Sequence, residues 1–194
     1  MNFDENLVQE KIIEISKQNE NSALRVFYDH SNVLVYELFP MRSQNINADF
    51  VYTKNYIQHP LHKKQMVHPI SSNIYYDDFG ILEGDWFSVF IEDEMGMIYT
   101  RPLSRVSNIL AGTMRAAVLY TLHSAGIPYE QQAIQPSMRQ NYYATTSLRV
   151  LQPINGITSS SLIKRLQREV QYNIEHHEQG NYQIWNREIL NIEP

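Results

Sequence analysis

LSRVSNILAGTMRAAVLYTLHSAGIP, residues 103–128, decides how the rest of the chain is read. Val106, Ile109, Leu110, Thr113, Ala117, Tyr120 and Ser124 recur mostly three or four positions apart, the period of a helix. Ala116, Val118, Leu119 and Leu122 add apolar residues beyond that stripe, so little of a polar face remains. The reading is a long central helix buried on more than one side. Ala111, Gly112, Ala116 and Ala117 are small enough for a sheet or a second helix to approach closely. Ser104 or Ser107 is expected to cap the start by accepting a free backbone N–H. Gly126 suits the left-handed position past the end, and Pro128 stops propagation.

Working outward, the N-terminal side carries a first amphipathic helix over 4–19, with Leu7, Ile12 and Ile15 on its apolar stripe. Strands follow at 23–29 and 32–39, joined at His30-Ser31 as a hairpin. Short strands are expected at 49–53 and 74–77, separated by an irregular stretch holding Pro60 and Pro69. A second hairpin spans 81–91 and 95–101, turning at Glu92-Asp93-Glu94. Its first strand is apolar on both faces, Trp86, Ser88 and Phe90 against Phe87, Val89 and Ile91, and reads as an inner strand. Beyond the central helix, strands are expected at 129–134 and 142–151. A third helix over 159–178 starts at Ser159, Ser160 or Ser161. Residues 181–194 form an apolar tail expected to dock on the chain or on a partner. This order predicts one α+β domain over 1–194: a largely antiparallel sheet, a long buried central helix, and flanking N- and C-terminal helices.

The apolar fraction is 43% and the charged fraction 19%, enough for a packed core in 194 residues. A formal charge of -5 argues against general nucleic-acid binding, which needs a basic face. With no cysteine, disulfides, thiolate nucleophiles and Cys-ligated zinc are excluded. The first 18 residues lack a basic start followed by an apolar core, so no signal peptide is expected. No run approaches the roughly 20 apolar residues of a spanning helix. A cytoplasmic protein is expected.

The candidate chemistry is sparse. His59 and His62 lie in a proline-bounded loop, and Asp78 is placed to orient either as a general base. No HExxH or comparable spacing occurs, so no metal is expected. GxGxxG, GxxxxGK[ST] and GxSxG are absent, and no cofactor is read. Arg115 sits in an apolar helix and needs either an internal carboxylate, such as Asp49 or Asp85, or an anionic ligand. Arg139, Tyr142 and Arg149 complete a candidate ligand set with Arg115 for an aromatic or phosphorylated molecule. The fragment GIPYE at 126–130 resembles the segment leading into the core of restriction-endonuclease-like domains. Residues 131–152 contain no acid for that family's downstream acidic-x-Lys element, so the family is not adopted.

Two functions are weighed. The favoured expectation is a non-catalytic protein-binding module: an adaptor, secretion chaperone or assembly subunit. Its basis is 13 tyrosines, an acidic stretch from Asp77 to Glu94, and the apolar tail. Tyr172, Tyr182, Trp185 and Ile189 are its partner-binding candidates, for another protein or a second copy. The alternative is a small-molecule transferase or hydrolase, with Arg115 and Arg139 holding an anionic substrate and His59 or His62 as base.

Overall fold

A computed structural model describes residues 22–28, 34–40, 46–54, 72–103, 109–146 and 149–176. The chain divides into two compact units, Met1–Gln44 and Asn45–Pro194. In the first, β1 (Ser22–Tyr28) and β2 (Leu34–Pro40) pair antiparallel, from Ser22 opposite Pro40 to Tyr28 opposite Leu34. The expected helix at 4–19 and the tail at 181–194 lie outside the described residues.

The second unit runs β3 (Ala48–Tyr52), β4 (Ser72–Tyr76), β5 (Ile81–Gly84), β6 (Ser88–Glu92), β7 (Ile98–Thr100), α1 (Thr113–Ser124), β8 (Tyr129–Gln131), β9 (Asn141–Thr146), β10 (Arg149–Pro153) and α2 (Ser161–His176). One sheet has the order β10-β9-β6-β7-β8 and the other β3-β4-β5. β3–β4 and β7–β8 run parallel; the other described strand pairs are antiparallel. The fold is mixed α+β, with β6 the middle strand of the larger sheet.

Alternation along β6 divides the core. Phe90 joins Ile98, Tyr143 and Leu151 against Val118, Leu119 and Leu122 of α1 and Ile163, Leu166 and Val170 of α2. Val89 and Ile91 point the other way, onto Ala48, Ile74 and Ile81 of the smaller sheet. The five-stranded sheet is therefore covered by helices on one face and by the three-stranded sheet on the other.

Three elements differ from the sequence reading. The central helix is 12 residues long and starts at Thr113, with Gly112 at its N-cap position at φ 57° and no side chain among the described residues capping it. Ser104 and Ser107 lie outside the described residues. Its buried face is Arg115, Val118, Leu119 and Leu122, while Thr113 and Ser124 are exposed. The expected strand 81–91 breaks at Asp85–Phe87, and its halves join different sheets. Residues 141–153 form a hairpin, not one strand, with a bulge where Leu151 takes φ 45°. The C-terminal signals of α1 hold: Gly126 is left-handed at φ 63°, and the Ile127 N–H returns to the Leu122 carbonyl at 2.9 Å. Ser160 caps α2, its Oγ accepting the Ile163 N–H at 3.1 Å.

A candidate anion and carboxylate site at the start of helix α1

The break between β5 and β6 builds one side of the site. A side chain at position 84 would lie 2.2 Å from the Phe87 ring, so only glycine fits. The Gly84 N–H donates to the Phe87 carbonyl at 2.9 Å and closes the turn. Asp85 anchors it, its two oxygens accepting the Asn73 N–H and the Tyr75 hydroxyl, each at 2.7 Å. The turn leaves Glu83 near the end of β5 and Ser88 at the start of β6. Glu83 is buried at 1% exposure, and its Oε2 accepts the Leu110 N–H at 3.3 Å.

The other side is the N-terminus of α1. No side chain among the described residues caps it, and the helix dipole favours negative charge there. Gly112 and Thr113 are exposed. A Cβ on Gly112 would come within 3.0 Å of Ser88 Oγ, so the chain approaches β6 closely at this point. Across the sheet Ser88 pairs with Thr145 of β9. Thr145 Oγ1 is buried with no hydrogen-bond partner among the described residues. Such an orphaned hydroxyl costs about 1–3 kcal/mol and is unusual in a native interior.

Arg115 is the third residue of α1, in its first turn, at 1% exposure. Its Nη2 donates to the Arg101 carbonyl at 2.7 Å and to Gln131 Oε1 at 3.1 Å, not to Asp49 or Asp85. Nε and Nη1 are buried without an acceptor among the described residues. Burial lowers its pKa to about 10, and the charge of Glu83 opposes that shift. The guanidinium therefore stays charged at neutral pH.

Lys54 follows β3, whose ladder ends with the Thr53 N–H donating to the Tyr76 carbonyl at 2.9 Å. Strand order places it two strands from Glu83, at an exposed position. Among the described residues the other lysine is Lys164, exposed in the first turn of α2. No cluster of three or more potential metal ligands occurs among the described residues.

The residues singled out from sequence are scattered. His59, His62, Tyr182, Trp185 and Ile189 lie outside the described residues. Asp78 is exposed and accepts the Tyr52 hydroxyl at 2.7 Å. Arg139 is exposed, its N–H turned onto Ser137 Oγ at 3.2 Å. The Tyr142 hydroxyl donates to Gln140 Oε1 at 2.7 Å and accepts the Ser137 N–H at 2.8 Å. Arg149 bonds Gln152 Oε1 at 2.6 Å. Tyr172 is exposed and stacks on His176 with ring centroids 4.0 Å apart. The acidic stretch is not one surface: Glu83, Asp85 and Glu92 are buried. Sequence reasoning gave no site role to Lys54, Glu83, Ser88, Gly112 or Thr145, although it marked Gly112 as a point of close approach. The visible signal was an acid inside an apolar run, ILEGDWF, and an uncapped Gly-Thr at the helix start.

No protein-family model matches this sequence, and no curated protein matches it. Solved structures do match in fold. Branched-chain amino acid aminotransferase from Escherichia coli superposes with a TM-score of 0.60 at 15% identity, covering 94% of this chain and 75% of its own. A hypothetical aminotransferase from Mycobacterium tuberculosis gives 0.60 at 13% identity in its apo form, covering 90% and 78%. Its PLP-bound form gives 0.56 at 13%, covering 88% and 76%. A fold IV-transaminase from Curtobacterium pusillum gives 0.54 at 15% identity, covering 85% and 71%. At these identities the likeness shows the fold. It also overturns the adaptor, secretion-chaperone and assembly-subunit expectation, because the solved structures named here that superpose on the chain are aminotransferases. Some of the tyrosines and acids on which that expectation leaned are buried: Tyr142, Tyr143, Glu83, Asp85 and Glu92.

Proposed function

We propose that this chain is a pyridoxal-phosphate-dependent aminotransferase acting on an amino acid. One observation carries the reading. The uncapped N-terminus of α1, with the buried and unpartnered Thr145 hydroxyl beside it, lies next to the buried carboxylate of Glu83. It does so on a fold shared with an aminotransferase solved in a PLP-bound form.

The donor set fits that cofactor part by part. Gly112 and Thr113 offer backbone N–H groups, and Ser88 and Thr145 offer hydroxyls, to a phosphate dianion. Glu83 offers a carboxylate to a protonated ring nitrogen, the partner that pyridoxal chemistry uses. Lys54 offers the primary amine that anchors the aldehyde. When bound, pyridoxal phosphate supplies the electron sink that lets an amino acid give up its α-proton. The chain's own tasks are then distinct. The α1 terminus fixes the phosphate end, Glu83 holds a proton at the ring nitrogen, and Lys54 Nζ carries the proton exchanged at the substrate's α-carbon.

The same reading retains the transferase half of the sequence-based alternative and assigns the chemistry to unit 45–194. It also keeps the cytoplasm as compartment and self-association as the partner expectation, both open to localisation of a tagged full chain and to size analysis. No helix among the described residues is long and apolar enough to cross a membrane.

The test is direct. The purified full chain is incubated with pyridoxal phosphate, its absorbance recorded, and the adduct fixed with borohydride and mapped by peptide mass. Fixation on Lys54, loss of fixation in Lys54→Arg, and amino transfer from an amino-acid panel to a keto acid are expected. A chain that takes up no cofactor, or fixes it on another lysine, overturns the reading or its anchor.

A further inference from the structure

We infer that the cavity between the C-terminal end of α1 and one face of α2 is a second binding site, for an aromatic amino acid in its zwitterionic form. It lies away from the candidate cofactor site and draws on neither Lys54 nor Glu83, so it stands or falls independently of the function proposed above.

The cavity has a volume of 590 Å³, within the roughly 300–1,000 Å³ typical of small-molecule sites. One wall is α2. Arg165, Arg168, Glu169 and Tyr172 are three or four positions apart and share a helix face, while Ile163, Leu166 and Val170 hold the opposite face in the core. The other wall is the last turn of α1, with Thr121, Ser124 and Ala125. Asn173 ties the two walls together, its Nδ2 donating to Thr121 Oγ1 at 3.0 Å. At 1.5 Å of rise per residue, Ser124 stands about 16 Å along the helix axis from Thr113, where the cofactor site begins.

The charges in the cavity select the ligand. Arg165 Nε donates to Glu169 Oε1 at 2.6 Å, so that guanidinium already has its counter-ion. Arg168 is exposed and has no acceptor among the described residues, which leaves the cavity one net positive charge. A single planar fork matches a carboxylate, through two parallel N–H···O bonds. The α1 wall is the negative pole of that helix. The N–H groups of Ala125, Gly126 and Ile127 return to the carbonyls of Thr121, His123 and Leu122, and the carbonyls of Ser124 and Ala125 lie beyond that closure. An ammonium suits this wall. A phosphate dianion would meet one cation and be repelled by the helix end. Tyr172 adds a flat apolar surface. Its ring is stacked on His176, with centroids 4.0 Å and planes 18° apart, and the residue is still 60% exposed. A ring held in this way offers a platform to an aromatic side chain. Carboxylate, ammonium and ring therefore each have a partner: Arg168, the end of α1, and Tyr172.

The test is calorimetric titration of the purified full chain, without cofactor, with four probes: L-phenylalanine, hydrocinnamate, which lacks the ammonium, phenethylamine, which lacks the carboxylate, and inorganic phosphate. L-Phenylalanine is expected to bind most tightly, and phosphate not to compete with it. Arg168→Met and Tyr172→Ala change exposed side chains and are expected to leave the unfolding midpoint unchanged while weakening L-phenylalanine binding about tenfold or more. Arg168→Lys is expected to fall between Arg168→Met and wild type, because a point charge replaces the fork. No binding of L-phenylalanine, or wild-type affinity in Arg168→Met, overturns the site. Phenethylamine bound as tightly as L-phenylalanine overturns the role of Arg168, and phosphate that displaces L-phenylalanine overturns the ligand class.

Discussion

Gly112 turns the chain into α1 at φ 57° and ψ 117°, with the position of a Cβ 3.0 Å from Ser88 Oγ. Gly112→Ala should lose about 1–3 kcal/mol, from an incompatible backbone region and from crowding of Ser88. The loss is measurable by urea unfolding, and an unchanged midpoint would show that the turn relaxes freely. The variant should also bind pyridoxal phosphate more weakly, since the first N–H groups of α1 would be re-aimed. Sequence reading identified Gly112 as a point of close approach but ran the helix straight through it. The apolar spacing continues through Ile109 and Leu110, and an interior glycine costs a helix only about 1 kcal/mol, so the pattern could not see the break. Asn155 plays a comparable role at φ 57°. Its side chain accepts the Ala48 N–H at 2.8 Å and donates to the Ala48 carbonyl at 2.9 Å, supplying the edge of β3 with a partner. Asn155→Gly keeps the backbone geometry and removes only those bonds, so a loss of about 1–3 kcal/mol in thermal unfolding would isolate the contribution of the amide.

Between β5 and β6 the chain leaves one sheet and enters another, and this change of partner sets Glu83 apart from Ser88. Apolar alternation cannot locate such a break, because a strand buried on both faces is apolar at every position. The informative residue was Asp85, an acid in an apolar run whose purpose is visible only with its acceptors in place. Asp85→Ala removes the bonds from the Asn73 N–H and the Tyr75 hydroxyl. We expect about 2–4 kcal/mol of destabilisation, and a weaker cofactor affinity because Glu83 loses its fixed turn. Asp85→Asn, which can still accept, should retain part of both; equal damage from the two variants would mean that charge, not hydrogen bonding, holds the turn. A second junction joins the sheet to α2. Ser160 Oγ donates to Glu92 Oε1 at 2.6 Å while accepting the Ile163 N–H. Here the sequence was legible: a serine run before a helical stripe named Ser160 among three capping candidates.

Across the whole molecule the fold class was legible and the site was not. Hydrophobic period and turn residues report local structure, whereas Lys54, Glu83 and Ser88, Gly112, and Thr145 come from four separate stretches and form no short motif. The abundance of tyrosine misled in the same way. Several tyrosines place their hydroxyls on carboxylates: Tyr143 on buried Glu92 at 2.8 Å, Tyr75 on buried Asp85 at 2.7 Å and Tyr99 on half-buried Asp93 at 3.2 Å. That arrangement makes stability depend on alkaline pH. Burial, then the hydrogen bond and charge of Glu92, hold the Tyr143 phenol well above its ordinary value of 10.0; Tyr75, Tyr99, Tyr129 and Tyr142 are raised as well, chiefly by burial. Above that ordinary value the unfolded chain releases phenolic protons that the folded chain retains. The unfolded state then binds fewer protons, so stability is full below about pH 10 and declines as pH rises toward the folded-state values. Tyr143→Phe should cost about 1–2 kcal/mol at neutral pH, because Glu92 loses a buried donor. It should also flatten the alkaline decline, since Phe has no proton to lose. Urea unfolding between about pH 8 and 11 would show the two curves converging. If they instead run parallel across that range, Tyr143 ionises alike in both states, and its bond to Glu92 is not what protects the proton.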